Sequence, residues 1–405
     1  ESVTIPAIDE KQPLTEPVAG RVRERFSQEL VPLAYKGLER MLLPDGSGFC
    51  DRARRGADGK LDLIGRSQRY SAMSLIGVAL QERLGRQSSF STDKVYDCLV
   101  DWVDRDAYQG DAGLVLWALS LQEDPRAERV LARIVDREEQ LTDKRTPRNS
   151  ASLGWLLTGL SVAIIEGIGG DSARTTADSV CRLLLRNRNP ATGLCSLAGA
   201  GRRKNIFNQR FNTRLGSFAS QVYPTIGLSY YALATGNSEP LDLAEQSADA
   251  LVRLQGREGQ WWWIYDTRAG EPVMRYPVYS IHQDAMGPMA LLAVSLATEG
   301  KKDYTNAVWK SLEWLNQHPE CRDERLVDPE AGVVWRAIQR DKPTRTGAFG
   351  LGAAEIRRLH VSAWTGLVDR RPFATGYVCE ECRPYHLGWI LVAAAMFESC
   401  HKGEL

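Results

Sequence analysis

The chain offers a partner no bulk charge. Its 51 basic and 51 acidic residues cancel to a formal net charge of +0, so no overall electrostatic pull draws it towards nucleic acid or an anionic membrane. The nearest local basic patch, Arg202-Arg203-Lys204, reads first as a solvated loop. No run approaches the roughly 20 apolar residues that a membrane span needs. Eight cysteines are scattered over 405 residues with one close pair. Cys98 and Cys181 sit at apolar helix positions and read as small core residues. That usage points to a reducing, cytoplasmic setting and not to a disulfide framework. Also absent are GxGxxG, a P-loop and a GxSxG elbow. Residues 1–16 are polar and proline-bearing and read as a disordered lead-in, not a signal peptide. The chain does not begin with Met, which leaves a removed presequence or tag open.

What the sequence does contain is helical periodicity almost throughout. It predicts twelve helices, at about 17–41, 67–84, 92–104, 110–121, 125–140, 149–166, 172–186, 218–234, 240–254, 280–298, 303–317 and 384–400. Odd members are amphipathic. Even members, such as GDAGLVLWALSL at 110–121, are apolar on nearly every face. A helix apolar all round is buried, whereas one with a polar face lies at the surface. Six such hairpins in sequence imply two concentric rings with the even helices inside, an all-α (α/α)6 toroid spanning 17–405 as one domain. Small residues in the even helices (Gly77, Gly113, Gly154, Gly159, Gly227, Gly287) allow close approach. Pro224 fits the first turns of its helix. Glycine turns at 45–49, 190–194 and 258–261 each precede an aromatic or apolar residue, which suits short β-hairpins at one rim. The longest connection, about 319–383, has the length of a lid or binding loop. It carries Val333-Val334-Trp335, a glycine-rich stretch at 346–352, a predicted short helix at 353–359 and Ala363-Trp364-Thr365-Gly366.

In this arrangement every inner helix starts at the same rim. Polar groups collect there: Arg69 and Tyr70; Asp111; Arg148 and Asn149; Gln221 and Tyr223; Tyr279, His282, Gln283 and Asp284; Arg383, Tyr385 and His386. The opposite ends lack them. Taken singly, Asp111 and Asn149 suit N-caps and Tyr223 suits a core. Convergence of six helices on one rim predicts a ligand site. Trp261, Trp262 and Trp263 stand beside it. They alternate if extended, giving a face for sugar stacking or, on the plainer reading, a hydrophobic plug.

This alternation and these rim loops resemble the α/α-toroid proteins, most of all the six-hairpin glycosidase-like superfamily, over about 17–400. The resemblance implies a small-molecule or glycan substrate. Toroids of this kind host glycoside hydrolases, polysaccharide lyases, sugar epimerases, terpene cyclases and zinc-dependent prenyltransferases and lanthionine cyclases, and fold does not choose among them. Hydrolysis needs two carboxyl groups, for which Asp284 and Asp111 are the first choice and Glu380 and Glu381 lie on the long loop. His282, Tyr279 and Tyr385 would position substrate or share proton transfer. Arg69, Tyr70, Asn149, Gln221, Tyr223, Gln283 and His386 would bind it, with Trp262 stacking. Lyase or epimerase chemistry would use the Tyr/His set with Arg69 and Asn149. No cofactor is expected. The alternative is zinc on Cys379, Cys382 and His386. Val100-Asp101-Trp102-Val103-Asp104 is not the DxDD cluster of terpene cyclases. A non-catalytic glycan-binding toroid is the remaining reading. Nothing in the sequence sets an oligomeric state.

Overall fold

The computed structural model describes residues 16–139, 149–199, 211–340 and 376–402. The lead-in up to Thr15, Arg148, Arg202-Arg203-Lys204 and the expectations for 346–352, 353–359 and 363–366 lie outside these residues. Helix α1 comprises Glu16–Glu24, a π-helical turn Arg25–Leu30 and Val31–Met41. There follow α2 (Gln68–Arg83), α3 (Asp93–Arg105), α4 (Gln109–Leu121), α5 (Arg126–Asp136) and α6 (Ser150–Ile165). Next come α7 (Gly170–Leu185), α8 (Phe218–Thr235) and α9 (Ser238–Leu254). Helix α10 is a π-helical turn His282–Met286 continued by Gly287–Ala297. Helices α11 (Thr305–Gln317) and α12 (Pro384–Lys402) follow.

The even helices pack on one another in the order α2–α4–α6–α8–α10–α12 and back to α2, closing an inner ring. Odd helices pack outside it, so the fold is an (α/α)6 toroid. Hydrophobic burial explains the layers: α4 and α6 bury residues on every face, whereas α3 and α5 bury one stripe. Glycine sets the inner spacing. A Cβ on Gly77 of α2 would lie 2.2 Å from the Gly388 carbonyl oxygen of α12, and one on Gly159 of α6 would lie 2.0 Å from that of Gly113 on α4. No helix among the described residues is long and apolar enough to cross a membrane.

Short strands crown one rim. Strands β1 (Arg52–Arg55) and β2 (Leu61–Ile64) form a hairpin. Strand β3 (Leu215–Ser217) joins β4 (Ile264–Asp266) and β5 (Glu271–Met274). The long connection after α11 contributes β7 (Val327–Asp328), β8 (Val333–Val334), β9 (Ala337–Gln339), β10 (Tyr377–Cys379) and β11 (Glu381–Cys382). Strand β11 pairs with β1, while β9 lies between β10 and β6 (Val278–Tyr279). Tyr279, expected near a helix start, therefore sits on a strand opposite Ala337.

Inner-helix side chains tie this crown down. The Gln221 side chain accepts from Cys195 N at 2.7 Å and donates to Cys195 O at 2.8 Å. Gln283 does the same for Trp261, accepting from N at 2.8 Å and donating to O at 3.2 Å. A primary amide carries a donor and an acceptor side by side and so closes on one residue's backbone.

Candidate active site

The site begins with a proline. Pro288 has no N–H for the Asp284 carbonyl four residues back, and its ring would crowd that carbonyl. The π-helical turn His282–Met286 lies immediately ahead of it, where a wider turn relieves the contact. In α1 the π-helical turn likewise ends two residues before Pro32. In α10 the helical spacing separates the side chains: His282 and Met286, four apart, face the rim cavity, while Asp284, between them, turns to α12 and is fully buried.

The cavity measures about 980 Å³. Its floor comes from the N-terminal turns of α2, α6, α8, α10 and α12, with Arg69, Tyr70, Trp155, Tyr223, His282 and Tyr385. Its walls come from the crown: Arg52 and Arg54 of β1, Trp263, Tyr279, Arg336, and the stretch from Tyr377 to Glu381 with Arg383.

One carboxylate organises the wall. Glu381, 4% exposed, accepts from Arg336 Nη1 at 2.9 Å and Arg383 Nε at 3.0 Å on one oxygen. Its other oxygen faces Arg54 Nη2 at 3.3 Å and Arg52 Nε at 3.8 Å. Burial alone would raise Glu381, but Arg336 and Arg383 outweigh it and hold the group below the usual glutamate range. Four guanidinium groups thus share one ionised carboxylate at the cavity wall. Glu380 is the other lining carboxylate, and it accepts from Arg55 Nε at 2.7 Å.

Aromatic rings supply the remaining surface. Tyr70 and Tyr385 stack with centroids 4.5 Å apart, and the Tyr70 hydroxyl accepts from Arg383 Nη1 at 2.5 Å. Trp263 meets Tyr279 edge-on at 5.7 Å. Burial raises the Tyr279, Tyr223 and Tyr385 hydroxyls above the ordinary phenol value, so they stay protonated near neutrality. His282 packs between Phe218 and Tyr279. Burial drives it down to about 3, with the Trp261 carbonyl opposing, so its imidazole is neutral.

The structure therefore gathers Arg69, Tyr70, Tyr223, Trp263, Tyr279, His282 and Tyr385 on one cavity, with Glu380, Glu381 and Arg383. It places the other expected residues elsewhere. Asp111, 1% exposed, receives Arg69 through Nε at 2.5 Å and Nη2 at 2.9 Å, behind the cavity surface. Both Asp284 oxygens engage His386 Nε2, at 2.8 and 2.9 Å, inside the wall between α10 and α12. Burial raises the Asp284 carboxyl; His386 and, more weakly, Arg25 oppose that shift. Asn149 caps α6, accepting from Ala151 N and Ser152 N. Gln221 and Gln283 are spent on the backbone clamps. Trp261 is a core plug stacked on Phe218. The stacking position expected for Trp262 on this cavity is occupied by Trp263, because alternation along the extended run turns Trp262 the other way.

Arg52, Arg54 and Arg336 were not visible as site residues in the sequence. Arg52 and Arg54 lie on β1 and Arg336 directly precedes β9, and they join the site through the pairing of β1 with β11 and of β9 with β10 and β6. Cys379 and Cys382 fall on strands of different sheets, and His386 is taken by Asp284. Among the described residues no group of three or more His, Cys, Asp or Glu side chains is placed to hold a metal ion.

No family model and no curated protein matches the chain. Solved structures do. An unsaturated glucuronyl hydrolase specific for heparin aligns at TM-score 0.59 and 12% identity over 94% of this chain and 98% of its own. A possible member of the GH105 family from Salmonella enterica subsp. enterica serovar Paratyphi A aligns at 0.56 and 12%, over 93% and 94%. An unsaturated glucuronyl hydrolase mutant from Streptococcus agalactiae, complexed with dGlcA-GalNAc6S, aligns at 0.58 and 11%, over 96% and 93%. At such identities the likeness is one of fold, and the chain shares the (α/α)6 toroid of these proteins.

Proposed function

We propose that the chain is a glycoside hydrolase that binds an acidic oligosaccharide in the rim cavity. The observation that carries this reading is the arginine cluster. Guanidinium forks match carboxylate and sulfate geometry, and the four arginines outnumber the carboxylates that pair with them, Glu381 and, on Arg52, Asp51, which leaves positive charge for a ligand. Trp263 and the Tyr70–Tyr385 stack add flat faces for a sugar ring. The fold likeness to hydrolases of acidic sugars supports the same class.

In this reading Glu381 stays ionised and orders Arg336, Arg383, Arg54 and Arg52. Glu380, with its side chain 46% exposed, is the carboxylate able to reach a substrate and takes the acid–base role. Neutral His282 orients the attacking water, while protonated Tyr279 and Tyr385 donate to sugar oxygens. Asp111 and Asp284 act as positioning groups, the first by fixing Arg69 and the second by fixing His386 beside Tyr385. The reading calls on no cofactor. All eight cysteines are free, which fits a reducing, cytoplasmic compartment.

A second reading, a lyase or epimerase, is favoured by one contact. A phenol held against a guanidinium, Tyr70 on Arg383, beside a cluster able to neutralise a uronate, suits proton abstraction next to a carboxylate. One experiment separates them. The protein is incubated with acidic oligosaccharides, saturated or unsaturated at the non-reducing end, and with neutral ones. Reducing ends and the ultraviolet absorbance of the conjugated uronate are followed together. New reducing ends with constant or falling absorbance support the hydrolase. Rising absorbance transfers the site to the Tyr70 lyase, and turnover confined to neutral glycans overturns the acidic reading.

A further inference from the structure

The tryptophan run serves two cavities. Trp263 lines the main one; Trp262 lines a second of about 380 Å³, together with Arg257, Gln260, Arg275, Tyr276 and Glu320. None of these six lines the main cavity. The volume falls within the range of small-molecule sites.

Glu320, on the lining of this second cavity, is 1% exposed. One carboxylate oxygen accepts from Gln260 Nε2 at 2.9 Å and the other from Trp314 Nε1 at 2.9 Å. Both donors are neutral, and among the described residues no lysine, arginine or histidine pairs with it. A buried carboxylate without a cation is costly to keep, and each oxygen retains an unused acceptor direction. Burial raises this carboxyl, with the Gln260 and Trp314 hydrogen bonds opposing. At the mouth, Arg275 is exposed, and Arg257 makes only a loose surface contact with Glu258 at 3.7 Å. The Trp262 ring is half-buried and packed over Gly256, where a Cβ would come within 2.7 Å of its Cζ2. The ring is thus held in place without being covered.

We propose that this cavity is a second saccharide-binding subsite, in which Trp262 stacks on a sugar ring, Glu320 accepts its hydroxyl groups and Arg257 and Arg275 hold an acidic substituent. The proposal rests on the reading of the main cavity as a glycan site. Because Trp262 and Trp263 are consecutive, the two cavities flank one stretch of chain, and each takes its own glycan.

The test is isothermal titration calorimetry of the full chain with a heparin hexasaccharide as the probe. Wild type is compared with Trp262→Ala, Arg275→Glu and Arg336→Ala, each checked for folding by its thermal transition. Arg275→Glu changes an exposed side chain and guards against loss of fold in Trp262→Ala. The expected result is two binding events in wild type. Trp262→Ala and Arg275→Glu each weaken one event about tenfold or more and spare the event that Arg336→Ala weakens. A single wild-type event, untouched by Trp262→Ala and Arg275→Glu but lost in Arg336→Ala, overturns the subsite and leaves the main-cavity reading standing. A single event lost in Trp262→Ala but kept in Arg336→Ala does the reverse. No binding in wild type overturns both.

Discussion

Replacing Glu381 by Gln should weaken the fold and strengthen anion binding at once. Glu381 is buried, and removing one partner of a buried ion pair costs about 3–5 kcal/mol. Two of its partners lower that figure, since the Arg54 and Arg52 side chains are 52% and 32% exposed and water screens them. Arg336 and Arg383 are only 22% and 19% exposed and keep most of theirs. Gln can still accept from one arginine, but its amide NH₂ then faces another. We expect a loss of about 3 kcal/mol in denaturant unfolding. The released guanidinium groups should bind inorganic sulfate more tightly, so sulfate should raise the unfolding midpoint of Glu381→Gln by more than that of wild type.

The pH dependence follows in sign. The folded-state value of Glu381 lies below its unfolded value of about 4.3. The stabilisation is therefore fully present above that value and is lost as pH falls through the folded value. Wild type should keep the Glu381 contribution from neutrality down to about pH 5 and shed it only in stronger acid. Glu381→Gln should lack that acid limb. If Glu381→Gln unfolds like wild type and binds sulfate no better, the four arginines are not held by this carboxylate, and the account of the cavity as an anion site loses its basis.

Three further perturbations test the rest of the site. Asp284→Asn keeps a hydrogen bond to His386 and removes a carboxyl whose charged form burial disfavours, so at neutral pH stability should stay within about 1–2 kcal/mol of wild type. Burial raises the folded-state Asp284 carboxyl, so its contribution is greatest below the unfolded value of about 3.9 and declines as pH rises through the folded value; the mutant should flatten that decline in urea titrations. Full loss of turnover in folded Asp284→Asn would instead place the carboxylate in the reaction. Gln283→Leu strands the buried Trp261 N–H and C=O and should cost about 2–4 kcal/mol, with faster hydrogen exchange at the Trp261 amide; unchanged exchange would refute the clamp. Gly77→Ala gains about 1 kcal/mol of helix propensity but drives a Cβ towards the Gly388 carbonyl oxygen, at 2.2 Å. A net loss of about 1–3 kcal/mol is expected, and equal or greater stability in chemical denaturation would show that the inner ring can open without cost.

The helices were legible because burial writes itself into composition along each one. The 110–121 and 149–166 segments are apolar on every side, which only an inner ring can satisfy, and the glycines fall where α2 meets α12 and α4 meets α6. The rim convergence was legible as well, since inner-helix starts share one end. Which way a side chain turns there was not. Asp284 and His282 are two residues apart at the same rim, which puts them on opposite faces of the turn, so one enters the wall and the other the cavity; which of the two faces the cavity depends on how α10 is rotated against α12. Asp111 and Asn149 fitted caps and ligand groups equally well by position. Partners decided them, because Arg69 reaches Asp111 from 42 residues away and no local pattern encodes that pairing. The arginine wall is the extreme case: Arg54 and Glu381 are 327 residues apart and meet because β11 adds to β1. A site assembled from helix ends can be read along a chain, whereas one assembled by strand pairing across the closure of the ring has to be folded first. This chain's cavity takes its floor from the first kind of residue and its charge from the second.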